Sequence, residues 1–356
     1  MKRVKLAIIG CGTIANLQHI PVLETIPEAE VVYCCNIIPE RADKAAQRLH
    51  AKGVYDYHEI LKDETVEGVM VCTPNYLHAP ISIDCLKSGK NVFCEKPITV
   101  NYSIACEMMK TAGEVNKILN IGVCNRFNTT VNKIKELIDK GDLGKIYHTV
   151  CSFRSYRSIP GLGGPFTTKE FAGGGVLIDW GVHFLDLILY CVGLPEVLSV
   201  SADAYCELGK NIPDYKYTNM WAGPPVLDGI CDVEEYVTGH IRTTGPSINF
   251  NGAWAQNIGK DEMYVDFLGT KGGIRMDYSG NFTYWHEEDE NLVCSVPDYE
   301  KVNMYREETI EFLNCIRTGK KGRADVGNVI GTALVMDRIY ESAKQKQELL
   351  IEERAR

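Results

Sequence analysis

The chain has 356 residues, 45% hydrophobic and 24% charged, with 38 Lys+Arg against 47 Asp+Glu and a net charge of −9. That length implies two domains with sizeable cores, and the acidic balance argues against nonspecific binding to nucleic acid or anionic membranes. The N-terminus makes a poor signal peptide, no apolar run approaches the ~18 residues of a membrane helix, and the 14 cysteines include no Cys-x-x-Cys pair, so reduced thiols, a cytoplasmic location and no metal centre are expected.

Residues 4–9 form an apolar, strand-like run ended by Gly10. Further short apolar runs cover 31–35, 68–72, 91–94 and 118–124. Helical patterns separate them at 14–25, where Pro21 predicts a kink, and at 40–50, 79–87 and 103–115. Near-continuous hydrophobic strands alternating with helices predict a parallel sheet covered on both faces, the doubly wound α/β pattern. Residues 1–125 are therefore expected to form a Rossmann dinucleotide-binding domain.

Past residue 125 the pattern changes. A helix at 131–139 precedes a strand-like run at 146–156, a loop rich in Gly and Pro at 157–175 and a helix at 174–192. Alternating runs at 197–205, 233–243, 247–255, 262–268, 272–277 and 281–285 predict strands, and helices close the chain at 307–317 and 326–344. A second, α+β domain with a largely antiparallel sheet is expected over 126–356, its C-terminal helices able to pack back on the first domain. Segment 207–229 has no period and reads as a functional loop or an oligomer contact.

Gly10-Cys11-Gly12-Thr13-Ile14-Ala15 is a G-x-G-x-x-A turn between a predicted strand and a predicted helix. Gly10 permits the tight turn, Gly12 lets a pyrophosphate approach the backbone, and Ala15 allows close packing of helix on strand. Thr13 and Ile14 open the helix, whose N-terminus attracts the anion. The acidic residue usual at the end of the second strand is replaced by Asn36, with Arg41 nearby. Asparagine still hydrogen-bonds a ribose hydroxyl but does not repel a 2′-phosphate, and NAD is favoured over NADP. Thr73-Pro74-Asn75 and His78 follow a strand whose carboxyl end should face the cofactor; the alternative is a strand-ending turn and helix cap, with His78 structural. Glu95-Lys96-Pro97 places a charged pair at another such strand end. Within the apolar run 173–186, Asp179, His183 and Asp186 share one helical face.

Taken together, GCGTIA, TPNYLH, CEKP and GGGVLIDWGVHFLD resemble the Gfo/Idh/MocA family, that of glucose–fructose oxidoreductase and inositol 2-dehydrogenase. FLGTKGGIRM extends the resemblance over essentially the whole chain. The resemblance implies a Rossmann domain followed by a domain with an open sheet, whose open face serves homo-oligomerisation. It implies a sugar-like substrate, a cyclitol, sugar or glycoside. Lys96 matches the family's EKP lysine, and Asp179 and His183 match its D-x-x-x-H helix.

Chemistry supports these roles. Histidine's unperturbed pKa of ~6.5 lies close to working pH, so His183 suits a general base. Lys96 can stabilise developing negative charge on the reacting oxygen. Asp179 can hold a neighbouring hydroxyl or tune the pair, and Asp186 is expected to be a structural partner. Arg126, Tyr156 and Trp180 are further substrate candidates, while Trp254 is expected to pack in the core. Two other readings compete: an enzyme that recycles a tightly held nicotinamide, and a nucleotide-binding regulator without catalysis. A regulator has no chemical need for Lys96, Asp179 and His183.

Overall fold

The structure is a computed structural model that describes residues 3–99 and 101–351. The chain forms two compact units. The first comprises the residues up to Asn128 together with Val302–Ala333, and the second comprises Thr129–Lys301 with the residues from Leu334 onward.

In the first unit, strands β1 (Val4–Ile9), β2 (Ala29–Cys35), β3 (Lys52–Val54), β4 (Gly68–Val71), β5 (Asn91–Glu95) and β6 (Leu119–Gly122) form one parallel sheet in the order 3-2-1-4-5-6. The helices are α1 (Ile20–Leu23), α2 (Pro39–Leu49), α3 (His58–Lys62), α4 (His78–Lys87) and α5 (Tyr102–Glu114). β1 is apolar except for the half-buried Lys5 because both its faces are covered. Leu6 and Ile8 enter one core cluster, Ala7 and Ile9 the other. The lone strand β3 and helix α3 were not predicted, being too short to carry a period. The expected helix over 14–25 is instead a π-turn, Ala15–His19, running into α1. Pro21 lacks an N–H and its ring crowds the carbonyl four residues back, so the preceding turn widens.

The second unit contains α6 (Thr129–Lys140), β7 (Ile146–Arg154), α7 (Lys169–Ala172), a π-turn (Leu177–Gly181) leading into α8 (Val182–Cys191), and strands β8 (Val197–Tyr205), β9 (Tyr236–Thr243), β10 (Ser247–Ala253), β11 (Glu262–Gly269), β12 (Gly272–Asp277), β13 (Asn281–Glu288) and β14 (Asn291–Ser295). With β15 (Leu349–Leu350) these make a nine-stranded sheet in the order 14-13-12-11-7-10-9-8-15. All neighbours are antiparallel except β7 and β10, which run parallel. One face packs on α6 and α8. The other presents the alternate residues, among them Ser152, Arg154, Asp203, Thr238 and His240.

Residues 169–191 meet the length and apolarity of a membrane span, contrary to the expectation that no run would. They bend at 173–175, and 72% of their most apolar window is buried within the protein, so this is a core segment.

After β14 the chain contributes α9 (Met304–Thr318) and the start of α10 (Val326–Gln345) to the first unit. The second domain expected over 126–356 is thus interrupted at Val302–Ala333, the region whose helices the sequence reading allowed to pack back on the first domain. The reason is packing: Phe312 and Leu313 join the cluster of Leu6, Ile8 and Phe93, while Ile121 N–H bonds the Ala324 carbonyl at 2.9 Å.

The second core is tight at its centre. Phe153 of β7 stacks on Phe184 of α8 at 5.0 Å between ring centroids. A Cβ on Gly252 would stand 1.9 Å from the Phe153 ring. Gly252→Ala is therefore expected to destabilise the protein by roughly 1–3 kcal/mol through overpacking. A urea midpoint equal to wild type would show that the ring has room to move.

Candidate active site

The G-x-G-x-x-A turn has the shape its residues demand. Gly10 adopts φ +98, and a Cβ there would lie 2.5 Å from the Cys72 backbone, so β4 and the turn touch backbone to backbone. Beside Gly12 a Cβ would meet nothing within 4 Å. The first intrahelical bond is Asn16 N–H to Gly12 O at 3.1 Å, so the N–H groups of Thr13, Ile14 and Ala15 belong to the open first turn. Asn16, which the sequence did not single out, donates its amide to the carbonyls of Cys11 (2.9 Å) and Gly12 (2.8 Å) and fixes the loop. At the end of β4, the buried Thr73 hydroxyl has no hydrogen-bond partner among the described residues. The space beside Gly12, the first-turn donors and this orphan hydroxyl fit a dinucleotide. Asn36 spends its Oδ1 on the Ile38 N–H at 2.9 Å, leaving its amide donors for a ribose. Arg41 lies exposed on α2.

His78 plays another part. It is buried, with Nδ1 2.7 Å from the Pro97 carbonyl and Nε2 2.9 Å from that of Thr73. Burial opposes the charged ring, but the Cys94 sulfur and the two carbonyls hold its pKa up to about 9. Both nitrogens are committed to backbone, so His78 is a strut between the Thr73 turn and the EKP loop rather than a group presented to a cofactor. Glu95 is buried and accepts the Lys96 N–H at 3.0 Å, while the Lys96 side chain is half-buried.

In the second unit, the D-x-x-x-H segment starts at a buried carboxylate that sequence reading missed. Glu234 accepts N–H groups from Gly175 (2.9 Å) and Leu177 (3.0 Å) and the Tyr340 hydroxyl (2.9 Å). It thereby satisfies orphan donors at a helix N-terminus and complements the helix dipole. Burial raises its pKa, against donors that favour the charge. The glycine run follows from this packing. A Cβ on Gly175 would stand 1.8 Å from the Glu234 carbonyl oxygen, and one on Gly174 would stand 2.0 Å from the Tyr340 hydroxyl.

Asp179 falls inside the π-turn, and His183 lies just beyond it on α8; both are half-buried. Trp254 does more than pack: its indole N–H donates to Asp179 Oδ2 at 3.2 Å. Asp186 is buried in the core, and Trp180 is half-buried against it. The next residue after the clamp, Glu235, gathers the N–H groups of Glu207 (2.6 Å), Leu208 (3.1 Å) and Gly209 (3.1 Å) at the root of the 207–229 segment.

Arg126 is fully buried and donates to the carbonyls of Arg323 (2.8 Å) and Asn328 (2.9 Å). Those bonds make it a tie within the first unit, which removes it from the substrate candidates. Tyr156 is exposed, its backbone fixed by Asp261 (2.6 Å) and Thr218 (2.7 Å).

A six-stranded sheet in 3-2-1-4-5-6 order, with its glycine turn and the EKP loop, defines an NAD(P)-binding oxidoreductase when joined to a unit of this second kind. Residues 4–123 match the oxidoreductase family with an NAD-binding Rossmann fold, and residues 131–275 match the GFO/IDH/MocA C-terminal domain. The chain is 34% identical over 276 residues to D-glucoside 3-dehydrogenase of Escherichia coli, covering 77% of each chain. It is 25% identical over 370 positions to the scyllo-inositol 2-dehydrogenase (NADP(+)) IolW of Bacillus subtilis, covering 98% of this chain and 96% of that one. The solved structure of levoglucosan dehydrogenase with NADH and L-sorbose matches with a TM-score of 0.85 at 21% identity, over 99% of this chain and 100% of that one. The chain belongs to the Gfo/Idh/MocA family of oxidoreductases.

Removing the clamp carboxylate strands two buried N–H groups and a hydroxyl. Glu234→Ala should destabilise the protein by about 3 kcal/mol or more. Urea unfolding measures this, and a loss under ~1 kcal/mol would deny Glu234 its anchoring role.

Proposed function

We propose that this chain oxidises a ring secondary alcohol of a D-glucoside-like pyranoside to the ketone, with NAD preferred, and catalyses the reverse reduction. The observation that carries this reading is the Asp179–His183 pair, set in an apolar core segment and held by Trp254 and the Glu234 clamp. Substrate class draws support from the D-glucoside 3-dehydrogenase relative and from the inositol 2-dehydrogenases. A pyranose and a cyclitol share a six-membered ring bearing secondary hydroxyls.

His183 takes the hydroxyl proton as the carbinol C–H bond breaks, and returns it in the reduction. Lys96 donates a hydrogen bond to the reacting oxygen and stabilises its charge. Asp179, fixed by the Trp254 indole N–H on its Oδ2, orients a neighbouring hydroxyl. Trp180 and Tyr156 offer aromatic surface to the ring. The turn residues Gly10 and Gly12–Ala15, with Asn36, Thr73 and Asn75, hold the dinucleotide. A bound nicotinamide supplies the two-electron acceptor. The protein is a cytoplasmic homo-oligomer assembled through the uncovered polar face of the nine-stranded sheet.

The test is formation of reduced nicotinamide from NAD with methyl and aryl glucosides, inositols and free hexoses. Glucosides should give the highest kcat/KM. Silence with every substrate, combined with reduced cofactor released on denaturation, would replace this reading with internal recycling. Lys96→Ala and His183→Ala should each lower kcat by about 10²–10⁴-fold with cofactor affinity largely kept. Near-normal turnover in His183→Ala across the pH range would end its role as base. Asn36→Asp should raise the NAD-to-NADP ratio of kcat/KM by about tenfold or more, since the new carboxylate repels a 2′-phosphate. An unchanged ratio would place the ribose elsewhere.

A further inference from the structure

One buried cluster in the first unit has no part in the reaction described above. His19, at the end of the π-turn, sets its Nε2 2.6 Å from Glu95 Oε1, both side chains being buried. The other Glu95 oxygen accepts the Lys96 N–H. Glu308 of α9 faces the same pair: one ligand-capable atom from each of the three residues lies within 4.8 Å of the others. Glu308 is 1% exposed, and neither of its oxygens has a hydrogen-bond partner among the described residues; nor has His19 Nδ1.

A bare carboxylate cannot persist in that setting, least of all beside a second one. Either a cation or a proton must neutralise it. The spacing favours the proton. A tetrahedral zinc with ligands at about 2.0–2.1 Å would hold any two ligand atoms roughly 3.3 Å apart. His19 and Glu95 are closer than that, at the distance of a strong hydrogen bond.

We propose that Glu308 is held as a neutral carboxylic acid behind the EKP loop, so that Lys96 stands against one buried negative charge, that of Glu95, and not two. This rests on the reading of Lys96 as the group at the reacting oxygen. Glu95 keeps its charge because His19 and Lys96 offset its burial and hold its pKa down. Glu308 has no such donors, and burial, then Glu95 and Glu311, push its pKa well up. The other titratable groups around it are Tyr305 on its own helix, Cys124 in the turn after β6 and Cys72 at the end of β4, all raised first by burial and so neutral. A second carboxylate charge here would lower the positive potential that Lys96 directs at the reacting oxygen. Glu308 is thus a positioning residue for charge.

The test compares wild type with Glu308→Gln, a neutral isostere, in the full chain. An acid whose pKa is raised on folding contributes its stability below the unfolded value and loses it as pH rises through the folded value. The unfolding midpoint of Glu308→Gln relative to wild type should therefore rise with pH, and the alkaline limb of its kcat profile should extend by about one pH unit. This stability comparison does not use activity, so it decides the protonation of Glu308 even if Lys96→Ala proves fully active. A difference in midpoint that is constant with pH, or a divalent metal found at one per chain in the dialysed wild-type protein, would overturn the proposal. Glu308→Met, also neutral and similar in length, serves the same comparison if Gln does not fold.

Discussion

The second unit depends on a carboxylate that water does not reach. Glu234 is worth its burial only because two backbone N–H groups and a tyrosine hydroxyl converge on it. Those donors fix where the apolar segment 176–191 begins. Its start in turn sets the π-turn, and the π-turn sets the positions of Asp179 and His183. Gly174 and Gly175 ahead of it are the steric complement of the same contact, since side chains there would strike Tyr340 and Glu234.

The first unit solves a similar problem with a different device. Gly10 brings backbone against backbone at Cys72, and His78 uses both ring nitrogens to hold the Thr73 turn and the EKP loop together. Polar groups at these strand ends are thus ordered by other buried polar groups, while the Thr73 hydroxyl has no hydrogen-bond partner among the described residues. Such preorganisation keeps the cost of ordering out of the binding step.

Much of this was legible in the sequence because the periods are strong. The buried parallel strands read as continuous apolar runs, and the glycine turn sits directly after the first. The D-x-x-x-H pair stood out as charge in an apolar helix. What escaped detection has no local signature. β3, α3 and β15 are too short to show periodicity. Glu234 and Trp254 act through partners that the fold alone brings near, 57 or more residues away, while Asn16 bonds back within its own turn, to Cys11 and Gly12, where an asparagine carries no distinguishing pattern. Arg126 and His78 allow two readings in the sequence for a related reason: a polar residue at a strand end near a cofactor can face the ligand or hold the scaffold, and only the hydrogen-bond partners distinguish the two.

Glu234 and Glu235 are adjacent, yet they grip different things. The first holds the segment that carries Asp179 and His183; the second cradles the root of the 207–229 segment through three backbone amides. Because those amides belong to every amino acid but proline, the grip does not depend on the side chains it receives. Side-chain exchange at 207 or 208 therefore leaves that grip in place, whereas Ile212 and Tyr215 further along are buried in the core, so the segment is held at its root by backbone and at its middle by side chains.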